Sequence, residues 1–328
     1  MRKEKEMADL RKKMEIMYPS HWLNQFAHWM SDLPEKLWDT ILCNLAIPGS
    51  HDSMTYCLDL NSPIKPSDKI LSYLDRVIPC ITRSEIYRWS KTQESCITQQ
   101  LEEGIRYFDL RIAHKPNDKT EHLYFVHAIY TTVTVQEALK EFEEWLETHP
   151  KEVVILACRF FEGMNKQHYW LIQKIENIFG SKLCPKTSIE QVTLRKLWEL
   201  GYQVILSYDN IIENEYPKLW PGIPYWWANT YNPKLLIQYL ETQKQNGRPD
   251  DFFVAGLNLT EDWLYIVTHL HSSLKKLTSP NYPFLSDWIK KQNAGPKKSC
   301  FNIIAGDFAP ADDEGTACDY KLLRLWTQ

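Results

Sequence analysis

One stretch limits the architectures open to this chain more than any other. Residues 134–149 carry Val135, Ala138, Leu139, Phe142, Trp145 and Leu146 at helical spacing, with Glu141, Glu143, Glu144 and Glu147 largely opposite. Steps of three and four residues stack those apolar side chains along one stripe, because a helix turns once in about 3.6 residues. Pro150 lacks the N–H that a further turn needs, and the helix ends there. Val153-Val154-Ile155-Leu156-Ala157 follows, apolar at every position. A strand with one face in water would alternate; an unbroken run marks a strand covered on both faces, as in a parallel sheet flanked by helices. Helix followed by buried strand is the return half of a β-α-β unit, and such units build parallel sheets.

The same alternation recurs along the chain. Residues 95–103 predict a short helix stopped by Gly104, and strands follow at Ile105-Arg106-Tyr107-Phe108-Asp109-Leu110-Arg111-Ile112 and Leu123-Tyr124-Phe125-Val126-His127. Further on come a helix over 166–179 with strand Val204-Ile205-Leu206-Ser207, and a helix over 233–245 with strand Phe252-Phe253-Val254-Ala255. A helical region then runs to Gln292, before strand Asn302-Ile303-Ile304-Ala305. Leu45-Ala46-Ile47 before a Pro48-Gly49 turn, and a short run near Tyr225, bring the strands to about eight. That number favours closure over an open sheet. The expected fold class is α/β, a single irregular (β/α)8 TIM-type barrel. At 328 residues the chain exceeds the usual ~100–200 per domain, yet a barrel of ~250 with insertions absorbs it. No Gly-, Pro- or Ser-rich linker divides the chain and no repeat of fixed period is present. The domain reading is therefore a charged and aromatic N-terminal segment over 1–28 and one barrel over 29–328, with the aromatic text of 22–38 packing over the barrel floor.

Composition removes several function classes. A net charge of −4 argues against a broadly cationic nucleic-acid binder. No apolar run approaches the ~18–20 residues of a membrane span, and the basic N-terminus lacks an apolar leader segment. The eight cysteines are scattered without a C-x-x-C pair, so they read as reduced thiols and no zinc site is expected. The expectation is a cytoplasmic protein that meets membranes reversibly; the Asn258-Leu259-Thr260 sequon is then silent.

In a parallel barrel the C-terminal strand ends share one face, so polar residues that follow apolar strands converge however far apart they stand in sequence. Here these are His51 and Asp52, Asp109 and Arg111, His127, Arg159, Asp209 and Asp307. The set has two histidines, several carboxylates and two arginines, with no serine elbow and no glycine-rich phosphate loop. Two histidines with ordinary pKa values near ~6.5 suit a general base and a general acid working across a phosphodiester. Asp52 and Asp307 could orient their second ring nitrogens, and an arginine fork neutralises phosphate oxygens. Each residue has a plainer reading: Asp52 or Asp307 as a helix cap, Asp109 with Arg111 as a structural ion pair, His127 as a satisfied core histidine. Convergence of all of them on one face is what favours chemistry.

The text Ile47-Pro48-Gly49-Ser50-His51-Asp52, then Gly104-Ile105-Arg106-Tyr107-Phe108-Asp109-Leu110-Arg111, then Phe125-Val126-His127 resembles the X domain of phosphatidylinositol-specific phospholipases C. The overall length and the block from Trp220-Pro221-Gly222 to Trp226-Trp227 are similar to the vertebrate PI-PLC X domain-containing proteins. The resemblance implies the phospholipase C-like phosphodiesterase barrel and cleavage of phosphoinositide lipid to diacylglycerol and a cyclic inositol phosphate. It implies His51 as general base oriented by Asp307, His127 as general acid beside Asp52, and Arg111 at the phosphorus. In the calcium-dependent signalling enzymes an asparagine stands at the position of Asp52 and an acidic ligand at that of Arg111. The pair present here is that of the metal-independent bacterial type, so no cofactor and no calcium are expected. Arg159, Tyr208, Trp227 and Asp109 are the expected head-group contacts, although Arg159 replaces a bacterial lysine and Tyr208 a bacterial arginine. The expected partners are a phosphoinositide substrate and a transient peripheral membrane surface, with no nucleic acid. A phosphoinositide-binding protein with little turnover is the alternative from a different class.

Overall fold

The computed structural model describes residues 26–308. The strands in chain order are β1 (Ile47–Ser50), β2 (Tyr107–His114), β3 (Leu123–His127), β4 (Ile129–Thr134), β5 (Val154–Glu162), β6 (Val204–Tyr208), β7 (Leu219–Trp220), β8 (Tyr225–Trp226), β9 (Val254–Gly256) and β10 (Ile303–Gly306). Eight of them are parallel to their neighbours, in the order β7-β6-β5-β2-β1-β10-β9-β8. The chain thus travels once around a curled sheet, as a (β/α)8 barrel requires. The ladder does not close: β7 pairs with β6 and β8 with β9 but not with each other, and the two are joined by four residues, Pro221-Gly222-Ile223-Pro224, instead of a helix.

Helices α1 (Lys69–Val77), α2 (Pro79–Ser90) and α3 (Ile97–Glu102) lie between β1 and β2; α4 (Val135–Thr148) precedes β5, and α5 (Gln167–Phe179) and α6 (Leu194–Leu200) precede β6. After β8 come α7 (Pro233–Asn246), α8 (Trp263–Thr268), α9 (Leu274–Thr278) and α10 (Tyr282–Ile289). The helix expected over 134–149 forms with Thr134 as its N-cap: Thr134 Oγ1 accepts from Glu137 N at 3.2 Å while Glu137 Oε2 accepts from Thr134 N at 2.8 Å. Its apolar stripe, Val135, Ala138, Leu139, Phe142, Trp145 and Leu146, is buried against Phe108, Leu110, Val154 and Leu156. The alternate positions of the same strands, Tyr107, Ile155 and Ile205, face inward with Ile47, Val254 and Ile303. Period two thus sorts each strand into a helix-facing and a barrel-facing set.

Three expectations need correction. Pro48 and Gly49 do not turn the chain; β1 runs straight through them. Pro48 has no N–H to give its neighbour, and Gly104 O, the acceptor such an N–H would meet in a parallel ladder, takes the indole N–H of Trp29 at 2.9 Å instead. Gly49 is required because a Cβ there would stand 2.8 Å from Tyr107 Cδ1 and 3.2 Å from Ala305 Cβ. Next, Leu123–His127 is not a barrel strand: it returns antiparallel along β2 (Ile112 opposite Phe125), and β4, unforeseen, pairs antiparallel with it. Third, Tyr208 points away from the barrel interior, as developed below.

The floor is closed from the N-terminal side, as the aromatic text predicts from Trp29 onward. Trp29, Met30, Leu33, Leu42 and Leu45 cover the apolar lower layer of the barrel. A fully buried ion pair fastens this cover: Arg106 donates to Glu152 Oε2 at 2.9 and 3.0 Å and to Ala27 O at 2.8 Å, and Glu152 accepts from Ser31 N at 3.1 Å. The remainder of the expected 1–28 segment, and residues 309–328 of the expected barrel, lie outside the described residues. Among the described residues no helix is long and apolar enough to cross a membrane.

Candidate active site

The barrel-facing positions become polar toward the C-terminal strand ends. Above Ile155 and Ile205 come the small residues Ala157 and Ser207, and above Ile47 and Ile303 come Gly49 and Ala305. The next inward positions are His51, Asp109, Arg111, Arg159 and Asp307. Small residues under a polar ring leave a space over the core. Four chain bends hold the ring: Asp52, Ala128, Phe160 and Phe308 have φ of +46°, +61°, +50° and +53°. Such backbone costs a non-glycine residue roughly 1–2 kcal/mol and clusters where function demands it. Each is a site residue or directly follows one. At Asp52 the bend lets two adjacent residues, His51 and Asp52, serve the same site.

The groups form one connected chain. His51 Nδ1 lies 2.7 Å from Asp307 Oδ1, and Arg111 Nη2 lies 2.7 Å from His51 Nε2. Arg111 Nη2 also donates to Asp109 Oδ2 at 3.2 Å, and Nη1 stands 2.8 Å from Asp52 Oδ2. His127 Nε2 is 3.4 Å from the same Asp52 oxygen, and its Nδ1 donates to Ser90 O, the last carbonyl of α2, at 2.7 Å. The two imidazoles stand 6.4 Å apart between centroids, near perpendicular. Guanidinium N–H groups can only donate, so His51 Nε2 accepts and its proton sits on Nδ1 toward Asp307. A carbonyl can only accept, so His127 also carries a proton on Nδ1. The carboxylates are sunk: Asp52, Asp109 and Asp307 are 4, 1 and 1% exposed. The side chains of His51, Arg111 and His127 reach the cleft at 12, 19 and 26%.

The histidines are driven apart. Burial alone would lower His51, but the charge and hydrogen bond of Asp307 outweigh it, and its pKa is raised above the ordinary value. Burial lowers His127, helped by the Arg111 charge and opposed by Asp52, and the net shift is downward. Asp109 is itself held below the usual carboxylate range, the Arg111 charge overcoming its burial.

Residues 92 and 93 pin the backbone under the site. Gln93 Nε2 donates to His51 O at 2.8 Å and Gly306 O at 2.9 Å, and Thr92 Oγ1 to Asp52 O at 3.1 Å. A cleft of about 580 Å³ opens above, lined by His51, Arg111, His127, Arg159, Tyr225 and Trp227 among others. Of the expected residues the structure brings together His51, Asp52, Asp109, Arg111, His127 and Asp307, with Arg159 and Trp227 on the cleft wall. Two of the expected residues stand apart, Asp209 and Tyr208. Tyr208 is fully buried on the helix side with Val204 and Leu206, its hydroxyl 2.7 Å from His168 Nδ1, because period two sends Ser207 inward. Asp209 is absent from the cleft and lies against Gly222. Sequence reasoning passed over Thr92, Gln93, Phe160, Asn258 and Glu261. Apart from the sequon at Asn258 nothing local singles these out, whereas Tyr225, 6.2 Å from the His51 ring, stands in a conspicuous aromatic run.

Among the described residues no group of three or more His, Cys, Asp or Glu side chains could hold a metal ion. The space between Asp52 and Asp109, where a cation would sit, is filled by the Arg111 guanidinium.

The family described as phosphatidylinositol-specific phospholipase C, X domain, matches residues 83–209, a span that holds Asp109, Arg111, His127 and Arg159. PI-PLC X domain-containing protein 1 of Homo sapiens is 50% identical over 309 residues, 92% of this chain and 95% of that protein. Its Danio rerio counterpart is 50% identical over 285 residues, covering 86% and 92%. PI-PLC X domain-containing protein 3 of Mus musculus is 38% identical over 295 residues, 88% and 91%. The solved phosphatidylinositol-specific phospholipase C from Listeria monocytogenes superposes with a TM-score of 0.62 over 92% of this chain and 98% of its own. At 19% identity that likeness establishes the barrel.

Proposed function

The chain belongs to the PI-PLC X domain-containing proteins, and from that membership together with its site we propose a metal-independent phosphoinositide phosphodiesterase. The observation that carries this reading is the unbroken series Asp307–His51–Arg111–Asp52–His127. Two histidines stand close enough to serve one phosphodiester, each with its own orienting group.

The substrate's 2-hydroxyl enters at His51 Nε2 and displaces the Arg111 contact. His51 takes the hydroxyl proton as the oxygen attacks phosphorus, and Asp307 holds the resulting imidazolium. Arg111, freed toward the phosphate, offsets the charge that builds on the non-bridging oxygens. The bond from phosphorus to the glycerol oxygen breaks, and His127 Nε2 supplies that oxygen's proton beside Asp52. The products are diacylglycerol and a cyclic inositol phosphate, which water opens with the two histidines in exchanged roles. The nucleophile belongs to the substrate, so effective molarity supplies much of what a metal-bound hydroxide otherwise would. Asp109 holds Arg111 in place, while Arg159 and Trp227 face the head group. Since Arg111 already neutralises Asp52 and Asp109, a calcium ion has no pair of free carboxylates to bind, and we propose no calcium requirement.

The test is release of labelled water-soluble inositol phosphate from phosphatidylinositol vesicles. The wild type releases label; His51→Ala and His127→Ala fall by about 10²–10⁴-fold, the usual worth of a general base or acid. Equal release from all three proteins would leave a binding protein on an enzyme's barrel.

A further inference from the structure

Two carboxyls of the cleft wall, Glu162 and Glu261, have no role in the proposed chemistry, and Glu261 is the one within electrostatic reach of Asp307 and His51. It lines the cleft with His51, Arg111, His127 and Arg159. Asp109, Asp307 and Asp52 are each committed to a cation or a histidine, whereas no side chain among the described residues bonds the Glu261 carboxyl. Its backbone is fixed on both sides. Thr260 N donates to Thr230 O at 2.9 Å, Thr260 Oγ1 accepts from Trp227 Nε1 at 2.8 Å, and Asp262 Oδ1 accepts from Tyr265 N at 2.7 Å. Nearby, Asn258 Oδ1 accepts from Tyr225 OH at 2.9 Å. A carboxyl held by no other side chain and bonded only to the backbone N–H of its own residue, on a pinned loop lining a polar cleft, is a preorganised hydrogen-bonding group open to a ligand.

We propose that Glu261 is a specificity residue: it hydrogen-bonds ring hydroxyls of the head group and excludes a head group bearing further phosphates on that side. The inference rests on the phosphodiesterase reading, and it narrows the substrate class to inositol lipids unphosphorylated where they face Glu261. A carboxyl, protonated or not, pairs with vicinal hydroxyls, but an anionic carboxylate beside a phosphate pays like-charge repulsion in a partly desolvated cleft. Asp307 of the β10 end and His51 of the β1 end act on Glu261 directly, and the charged groups that share the cleft with it are Arg111 of β2, His127 of β3, Arg159 and Glu162 of β5, and Lys65 before α1, with Tyr225 of β8 beside them. Burial raises the Glu261 carboxyl to about 8, against the hydrogen bond from its own backbone N–H and with a smaller push from Asp307 and pull from His51. Discrimination against extra phosphate therefore strengthens as pH rises through that value.

Binding separates this inference from the catalytic one. Inositol 1-phosphate and inositol 1,4,5-trisphosphate are titrated calorimetrically into wild type, Glu261→Gln and Glu261→Lys, between about pH 6.5 and about pH 9. The wild type prefers the monophosphate, and its preference grows with pH. In Glu261→Gln the preference is smaller and no longer follows pH beyond the ligand's own titration. In Glu261→Lys the affinity ratio moves at least about tenfold toward the trisphosphate. An affinity ratio that is the same in all three proteins, with the same pH trend, overturns the inference and leaves the phosphodiesterase reading intact. A wild type that binds neither ligand overturns both.

Discussion

Arg111 stands between the two histidines, its guanidinium holding the Nε2 lone pair of His51 and sharing Asp52 with His127, and its charge lowers the pKa of both. In the ligand-free protein His51 titrates above the ordinary histidine value and His127 below it. Base and acid are then ordered against their roles, and the competent pair, neutral His51 with protonated His127, is a minor species until a phosphate enters. Imidazole NMR titration checks this: His127 titrates first from the acid side, and an added phosphate ligand raises it. Asp307→Asn removes the group that pushes His51 up, so the His51 pKa falls below its wild-type value and turnover drops with it. Arg111→Gln removes a charge that lowers both histidines, so both pKa values rise, while turnover falls by about 10²–10³-fold through the lost stabilisation of developing charge. That His51, Asp52, Arg111, His127 and Asp307 come together was legible in the sequence because strand-end polar groups of a barrel converge. Tyr208 was misplaced by a single residue of register, which in a strand reverses the face. Glu261 left no mark at all, being an ordinary acid in a loop whose position depends on two tertiary contacts.

At the scale of elements, two structures that sequence reading missed carry the site. The β2-β3-β4 meander delivers His127 to the histidine pair although β3 lies outside the parallel circuit. The β3 sequence, five mostly apolar residues ending in a histidine, reads the same as a short barrel strand; only antiparallel pairing with Ile112 and Ala113 on one side and with β4 on the other distinguishes them. The 92–93 segment after α2 ties the ends of β1 and β10 together through Gln93. The continuous apolar strands and the amphipathic helix over 135–148 were legible because burial on two faces and on one face leave different periods in the text. The floor latch gives a stability prediction. Arg106→Met leaves Glu152 buried without its cation, and urea unfolding shows a loss of about 3–5 kcal/mol, whereas pairing it with Glu152→Leu recovers most of that loss. A single variant as stable as the wild type would show that the latch contributes nothing to closure of the floor.

For the whole molecule, the barrel supplies a dry lower half and a polar upper half, and the division follows from which residues stand above Gly49, Ala157, Ser207 and Ala305. The site needs no ion to hold its carboxylates together, since Arg111 does so. A chelator added to the purified protein therefore leaves turnover of phosphatidylinositol vesicles within about twofold, and loss of turnover restored by calcium would reject the metal-independent reading. The division of labour between His51 and His127 is the claim on which the rest depends, and a change of leaving group tests it most directly. An inositol phosphodiester with an aryl leaving group departs without a proton, so it needs the base and not the acid. Turnover of aryl and alkyl substrates is compared in wild type, His51→Ala and His127→Ala. The account predicts that His127→Ala, crippled on the alkyl ester, recovers to within about tenfold of wild type on the aryl ester, while His51→Ala stays inert on both. Equal losses for the two variants on both substrates would contradict it.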